Sequence, residues 1–289
     1  FLQFLSIING DMKKKVHHVV GSSDIMDQLT AWKVPFKVTF TNQTTIVQTD
    51  KKKWICSDGR FTFQDLHFMQ RVKKSIRVKE EIKYIPPRYF HFNALQDGTY
   101  TDVTERDISG AYWETAFKKG YIPEKIYLEG LEVEKPVRLA AFGAIAVNKV
   151  TYLFTGTESI KLPTVQTDEE KAKRSVFFAV ASHVDGALLR AMQAAGQAAL
   201  WMWVDALFLR KEKADLIAEY LEEKEGYKTK EVLLSFIDVR TEGQTKFYDA
   251  WLTNPKNPKK PFKTFSHGIG LMNRQREIYE NFLQMLEKN

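Results

Sequence analysis

From Thr167 to Arg210 the chain passes from its longest helical pattern directly into an apolar run, and that junction limits the folds open to it. The helical part ends RAMQAAGQAALW, rich in the strongest helix formers. The adjoining run, WMWVDALFLR at 201–210, has the β-branched and aromatic content of a strand and stops at Arg210-Lys211. After a further helix over about 211–225, VLLSFIDVR and KFYDAWL alternate at period two like paired strands. Helices interspersed with hairpin-connected strands predict an α+β fold built on antiparallel sheet, not a doubly wound parallel one.

The apolar run poses one problem. Asp205 sits at its centre, and aspartate is a poor strand residue that is almost never fully buried without a partner. Either Asp205 faces water at an edge or strand end, or a cation or donor stands opposite it. The other acid in such a setting is Asp107, in RDISGAYW, where a strand gives way to a helix over Ala111–Lys119 that Gly120 ends. Asp107 could there be a plain helix N-cap. Two carboxylates at the ends of neighbouring strands can also hold two divalent metals about 4 Å apart, the arrangement that serves in-line phosphoryl transfer. Oxygen ligands suit magnesium, and the chemistry needs cations on the leaving phosphates. Lys135 and Arg138 are candidates: with Phe142 their spacings of three, four and seven fall on one face of the helix that Lys135-Pro136 opens.

Length and composition leave room for a sizeable core. The 289 residues are 44% hydrophobic and 27% charged, enough for one large domain or two modest ones. A soft boundary near residue 95, after Pro86-Pro87, separates an N-terminal α+β region (1–95) from the remainder (96–289). Within the first, KVPFKVTF and TTIVQT read as strands, KKKWICSDGRFTF as a strand pair turning at Asp58-Gly59, and Gln64–Val78 as a helix. Leu128–Val133 reads as extended, SHGIG at 266–270 as a turn, and about 271–287 as an amphipathic helix. His17 and His18 are adjacent, so their side chains diverge and make a poor metal site.

No run approaches the roughly 18 apolar residues of a membrane span. The single Cys56 excludes an internal disulfide framework and a cysteine zinc cluster, and it fits a reducing, cytoplasmic compartment. The opening FLQFLSIINGDMKKK puts charge after the apolar stretch, the wrong order for a signal peptide; the chain starts inside a longer product, or at Met12. Lysine and arginine number 43 against 36 acids, a net +7, and the lysine clusters lie beside aromatics, as in KKKWICSDGRF and PKKPFKTF. That pattern suits a phosphate-backbone partner, although lysine clusters also serve as plain solvated faces.

Taken in order, these residues resemble the palm of a family B DNA polymerase. DISGAYW is similar to motif A, with Asp107 at the metal ligand and Tyr112 at the sugar-gate tyrosine, and with Trp113 where proline is usual. KPVRLAAFGAIA is similar to motif B through Lys135 and Phe142-Gly143, with Leu139-Ala140 replacing asparagine-serine. WMWVDALF is similar to motif C but keeps only its second aspartate, Asp205, the one that carries metal in the family; Trp203 and Ala206 stand for the first aspartate and the serine. KFY, with Lys246 and Tyr248, matches the lysine-any-tyrosine motif that touches primer. The likeness covers roughly residues 100–250.

The resemblance implies template-directed nucleotidyl transfer on a DNA primer–template. Asp107 and Asp205 would hold two Mg2+ ions, Lys135 and Arg138 the phosphates of a deoxynucleoside triphosphate, and Tyr112 its sugar. Phe142 and Gly143 would pack on the nascent pair, and Lys246 and Tyr248 would hold the primer. Only residues 108–134, 27 in all, separate Asp107 from Lys135, so reduced fingers are expected over about 118–160, with a small thumb or none. No Asp-x-Glu signature occurs in 1–95, so no exonuclease is expected there. A compact polymerase of this kind suggests a virus or mobile element acting in the cytoplasm of its host, with replication or virion proteins as partners and no membrane. Two other readings stay open. One is a catalytically degenerate palm that binds DNA as an accessory of replication or packaging. The other is an unrelated basic interaction protein, in which Asp107 and Asp205 lie more than about 10 Å apart.

Overall fold

The computed structural model describes residues 21–41, 44–57, 61–78, 89–91, 95–146, 149–163, 166–253, 257 and 261–270. The expected C-terminal helix, Pro86-Pro87, His17-His18 and the turn at Asp58-Gly59 lie outside them. The chain divides into two compact units, each made of two stretches: 1–81 with 120–177, and 82–119 with 178–289. Residue 95 falls within the second unit's first stretch, and most of 118–160 contributes to the first unit.

The first unit opens with helix α1 (Ser22–Ala31), whose Ile25 and Leu29, one turn apart, are buried. Strands β1 (Phe36–Phe40), β2 (Thr44–Gln48) and β3 (Lys53–Ser57) come next as an antiparallel meander. The alternation of β1 turns Phe36 and Val38 inward, where they meet Ile25, Leu29 and Val47 in a small core. The chain continues into α2 (Phe63–Ser75), not the second strand that period two predicts for RFTF. A capping box decides the matter. Thr62 Oγ1 accepts from the Asp65 amide at 3.2 Å, and Asp65 Oδ2 accepts from the Thr62 amide at 2.7 Å, so two orphan donors of the helix start are satisfied locally.

The second unit contributes β4 (Tyr89–Phe90), β5 (Gly98–Tyr100), β6 (Val103–Ile108) and α3 (Ala111–Lys118). The chain then returns to the first unit with α4 (Glu124–Glu132), α5 (Lys135–Gly143), β7 (Val150–Phe154) and β8 (Ser159–Leu162). Leu128–Glu132 is therefore helical rather than extended. Pro123 starts the turn, Ile126 and Gly130 are the buried i,i+4 pair, and the exposure of Leu128 and Leu131 explains why their spacing misleads. Arg138 Nη1 donates to the Gly130 carbonyl at 3.1 Å, occupying an acceptor near the end of α4. Strand β7 pairs with β1 and β8, giving a five-stranded antiparallel sheet in the order β3-β2-β1-β7-β8.

Helix α6 (Asp168–Ala195) leads from one unit into the other. By length and composition alone the stretch Asp168–Ala198 could cross a bilayer, but it is not an unbroken apolar run, and 72% of its apolar window is buried inside the protein, as in a core helix. The second unit ends with β9 (Ala199–Trp203), β10 (Ala206–Arg210), α7 (Ala214–Glu223), β11 (Thr229–Glu242), β12 (Thr245–Leu252) and β13 (Phe262–Gly270). Its sheet runs β13-β12-β11-β6-β10-β9-β4, with β5 beside β11. SHGIG belongs to β13 and is strand, not turn. Gly268 is needed for packing there, because a Cβ would lie 2.9 Å from the Phe247 ring. The core of this unit is an aromatic stack in which Trp201 lies against Phe208 (4.1 Å between centroids) and Tyr248 (4.6 Å). The fold is α+β with antiparallel sheets.

Candidate active site

WMWVDALFLR is a hairpin, not one strand. Trp203 pairs with Ala206, so Val204 and Asp205 form a two-residue turn. Val204 has φ 58°, a conformation glycine ordinarily supplies at the first central residue of such turns. A β-branched residue held there is strained by about 1–3 kcal/mol. The run reads as continuous because Trp201, Met202, Leu207 and Phe208 are all buried, so neither face of the hairpin is polar. Asp205 is thus a turn residue, which removes the conflict between its charge and the strand around it.

The hairpin is set beside β6 with Ala206 directly opposite Asp107. The Ile108 amide donates to the Asp205 carbonyl at 2.9 Å, carrying the ladder one residue into the turn. The two aspartates therefore lie at adjacent ends of paired strands. Asp107 is not a helix cap: α3 begins after Gly110, whose φ of 65° makes the turn from strand to helix.

Two further charges join them. Glu105, two residues before Asp107, projects on the same face of β6. Burial first, then repulsion from Asp107 and Asp205, pushes its carboxyl up to about 7. On the other side of β6, Lys230 of β11 stands opposite Asp107 and binds its Oδ2 at 2.8 Å. That hydrogen bond raises the Lys230 amine above its ordinary value, with Glu105 and Asp205 adding smaller attractions. The cluster thus holds three acids and one cation. It relieves part of its excess negative charge by keeping a proton on Glu105 near neutrality. Glu105 was legible in the sequence as an acid at i−2 from Asp107; Lys230 was not, because only the β6–β11 register brings it there.

By donor type alone, carboxylate oxygens are what a hard divalent cation prefers. All three acceptors are carboxylates, and magnesium is commonly held by one or two of these while water and substrate phosphate complete its shell. Among the described residues, however, no group of three or more His, Cys, Asp or Glu is placed to hold a metal ion, so Glu105, Asp107 and Asp205 do not together make a metal site.

The other expected site residues are divided between the two units. Tyr112, on α3 five residues beyond Asp107, is 7% exposed and packs within the second unit. Lys246 is buried against Asp97 at 2.6 Å, and Tyr248 is fully buried in the aromatic stack. A direct grip on primer by Tyr248 is not available from that position. Trp203 stacks on His267 with centroids 3.8 Å apart, so a ring pair, not a carboxylate, stands two residues before Asp205. Lys135, Arg138, Phe142 and Gly143 belong to the first unit. Lys135 is exposed, and Phe142 is buried against Phe177 at 5.7 Å. A Cβ on Gly143 would meet nothing within 4 Å, so internal packing does not require glycine there.

The first unit also carries a broad groove of about 950 Å³ whose walls include Trp32, Trp54, Lys33, Lys37, Lys51 and Lys52. Indole faces interleaved with ammonium groups suit single-stranded nucleic acid, whose bases stack and whose phosphates need cations.

No protein-family model matches this chain, and no curated protein matches it. Among solved structures it is similar to the family B DNA polymerase from the hyperthermophilic archaeon Pyrobaculum calidifontis, with a TM-score of 0.35 and 14% identity. The similarity covers 68% of this chain and 32% of that one, so the chain spans about a third of that structure's length. At that TM-score the likeness carries no argument, and function has to be read from the site itself.

Proposed function

We propose that the chain performs template-directed nucleotidyl transfer, extending a DNA primer with deoxynucleoside triphosphates at the Asp107–Asp205 cluster. The observation that supports this reading is the β6–β10 register, which brings the Asp205 turn next to the end of β6 that carries Asp107 and Glu105, in an excess of negative charge. Asp107 and Asp205 would hold magnesium, which when bound lowers the pKa of a primer hydroxyl and neutralises charge on the phosphates. Lys230 orients the Asp107 carboxylate through Oδ2. Lys135 and Arg138 keep their assignment to the nucleotide phosphates from motif order alone, Arg138 with one of its donors already on Gly130. The groove with Trp32 and Trp54 would guide a single strand.

A second reading has its own observation. Lys230 stands on Asp107 as a protein-supplied cation, and the Trp203–His267 pair, not a carboxylate, stands two residues before Asp205. Both favour a palm that binds DNA as a replication or packaging accessory without catalysis. Primer extension with magnesium separates the two, run on the full chain, Asp107→Asn and Asp205→Asn. Extension by the wild type that both variants lose supports nucleotidyl transfer. DNA binding with no extension by any of the three would leave the accessory reading standing alone.

A further inference from the structure

A second cavity, of about 290 Å³, lies inside the first unit between the β1–β3 sheet, α2 and the start of α6. Four cations line it: Lys73 from the last turn of α2, Lys149 just before β7, and Lys173 and Arg174 from α6. Among the described residues, Glu170 is the one carboxylate on its wall. Glu170 is spent on Lys149, and Lys173 reaches outward to Glu169 at 2.6 Å. Among the described residues, no hydrogen bond or ion pair reaches the Lys73 ammonium. Burial, then repulsion from Lys149, holds its pKa below the ordinary lysine value. With Glu169 counted beside Glu170, the four cations still leave two more positive charges than negative ones at this half-buried wall, which is costly unless something anionic enters.

The remaining wall is apolar, formed by Ile46, Leu66, Met69 and Ile145, with Thr44 and Gln70 among the polar contacts. The volume sits at the lower end of small-molecule sites, which start at about 300 Å³. We propose that this cavity binds a small phosphomonoester with an apolar body, its phosphate against Lys73 with Arg174 and Lys149 nearby, and its body along Ile46, Leu66, Met69 and Ile145. A phosphate dianion presents three acceptor oxygens to several donors at once and offsets the excess charge better than a carboxylate would. This site does not depend on nucleotidyl transfer, since none of Asp107, Asp205, Lys135 or Arg138 lines it.

The test is calorimetric titration of the full chain with inorganic phosphate, phenyl phosphate, phenol and a 5′-phosphorylated dinucleotide, alongside melting curves. Phenyl phosphate should bind at least about tenfold more tightly than inorganic phosphate, and phenol should show no heat. Lys73→Met should lose about tenfold or more in phenyl phosphate affinity, the scale of one charge-assisted hydrogen bond. Its ligand-free melting temperature should equal or exceed the wild type's, because a desolvated, repelled charge becomes an apolar chain. Lys73→Gln, keeping a donor without the charge, should fall between them in affinity. Tighter binding of the dinucleotide than of phenyl phosphate would assign the phosphate to a strand end; the reverse would assign it to a free metabolite. The proposal is overturned if phenyl phosphate does not bind by about 10 mM, if inorganic phosphate binds as tightly, or if both Lys73 variants bind like wild type.

Discussion

Lys230 and Asp107 are cross-strand partners in the β6–β11 ladder, and the lysine amine holds the aspartate carboxylate at 2.8 Å. The amine therefore competes for the same oxygen that an entering cation would use. Under the proposed function, Lys230→Met should lower the magnesium concentration for half-maximal primer extension by about tenfold, since one positive charge leaves a cluster of three acids. Lys230 is more than half exposed, so the stability cost should not exceed about 1 kcal/mol. A rise in the magnesium requirement would instead make Lys230 a phosphate contact.

Val204 separates the two strands of the hairpin at φ 58°. Val204→Gly removes the steric penalty of a β-branched residue in that region but adds chain entropy to the unfolded state. The balance should leave the variant as stable as wild type or up to about 1 kcal/mol more stable, read from urea midpoints. A loss of more than about 1 kcal/mol would show that the half-buried valine side chain contributes more through packing than it costs in strain.

Much of the fold was legible because local signals agreed with the tertiary outcome. The helix 168–195, the strand β6 through Asp107 and the β11–β12 hairpin all carry one periodicity along their length. Errors arose where a short-range device overruled the pattern. The Thr62–Asp65 capping box turned an apparent strand into α2, and an apolar run hid a turn because both faces of β9 and β10 are buried. That the strand ends carrying Asp107 and Asp205 are neighbours, with Ala206 opposite Asp107, agrees with two acids expected at adjoining strand ends. Lys230, and the emptiness above Gly143, could not be anticipated, because they depend on which strands pair and on what surrounds a helix end.

Gly143 closes α5 with open space where its Cβ would be. Gly143→Ala should raise stability by about 0.5–1 kcal/mol through helix propensity alone. If the nucleotide passes over this position, the same variant should raise the KM for deoxynucleotide several-fold. A gain in stability with an unchanged KM would detach Gly143 from the nucleotide.

Trp32 caps α1 at 37% exposure and borders the groove with four lysines. Trp32→Ala should weaken single-stranded DNA binding by about tenfold, the scale of one lost base stack. Lys51→Gln with Lys52→Gln should instead flatten the salt dependence, reducing the slope of log K against log salt by about 1.4 for two lost phosphate contacts on a single strand. Fluorescence anisotropy across a salt series distinguishes the two effects. Equal salt slopes for the double variant and wild type would move the strand off this groove.

His267 is buried against Trp203 and accepts from Trp201 Nε1 through Nδ1 at 3.2 Å, so it is held neutral. Burial lowers its pKa to about 4 from an ordinary 6.5. The folded protein then binds fewer protons than the unfolded chain between those values, and the stability His267 contributes is present above about pH 6.5 and lost as pH falls through 4. Chemical denaturation at pH 7.5 and 4.5 should show a loss on the order of 2 kcal/mol from this residue. His267→Phe keeps the ring stack but removes the titrating group, so it should melt lower than wild type at pH 7.5 for want of the Trp201 acceptor and lose less on acidification. The smaller loss that remains belongs to His91, which burial and Lys246 hold near the same low value. An acid sensitivity unchanged by His267→Phe would locate the proton uptake elsewhere in the second unit.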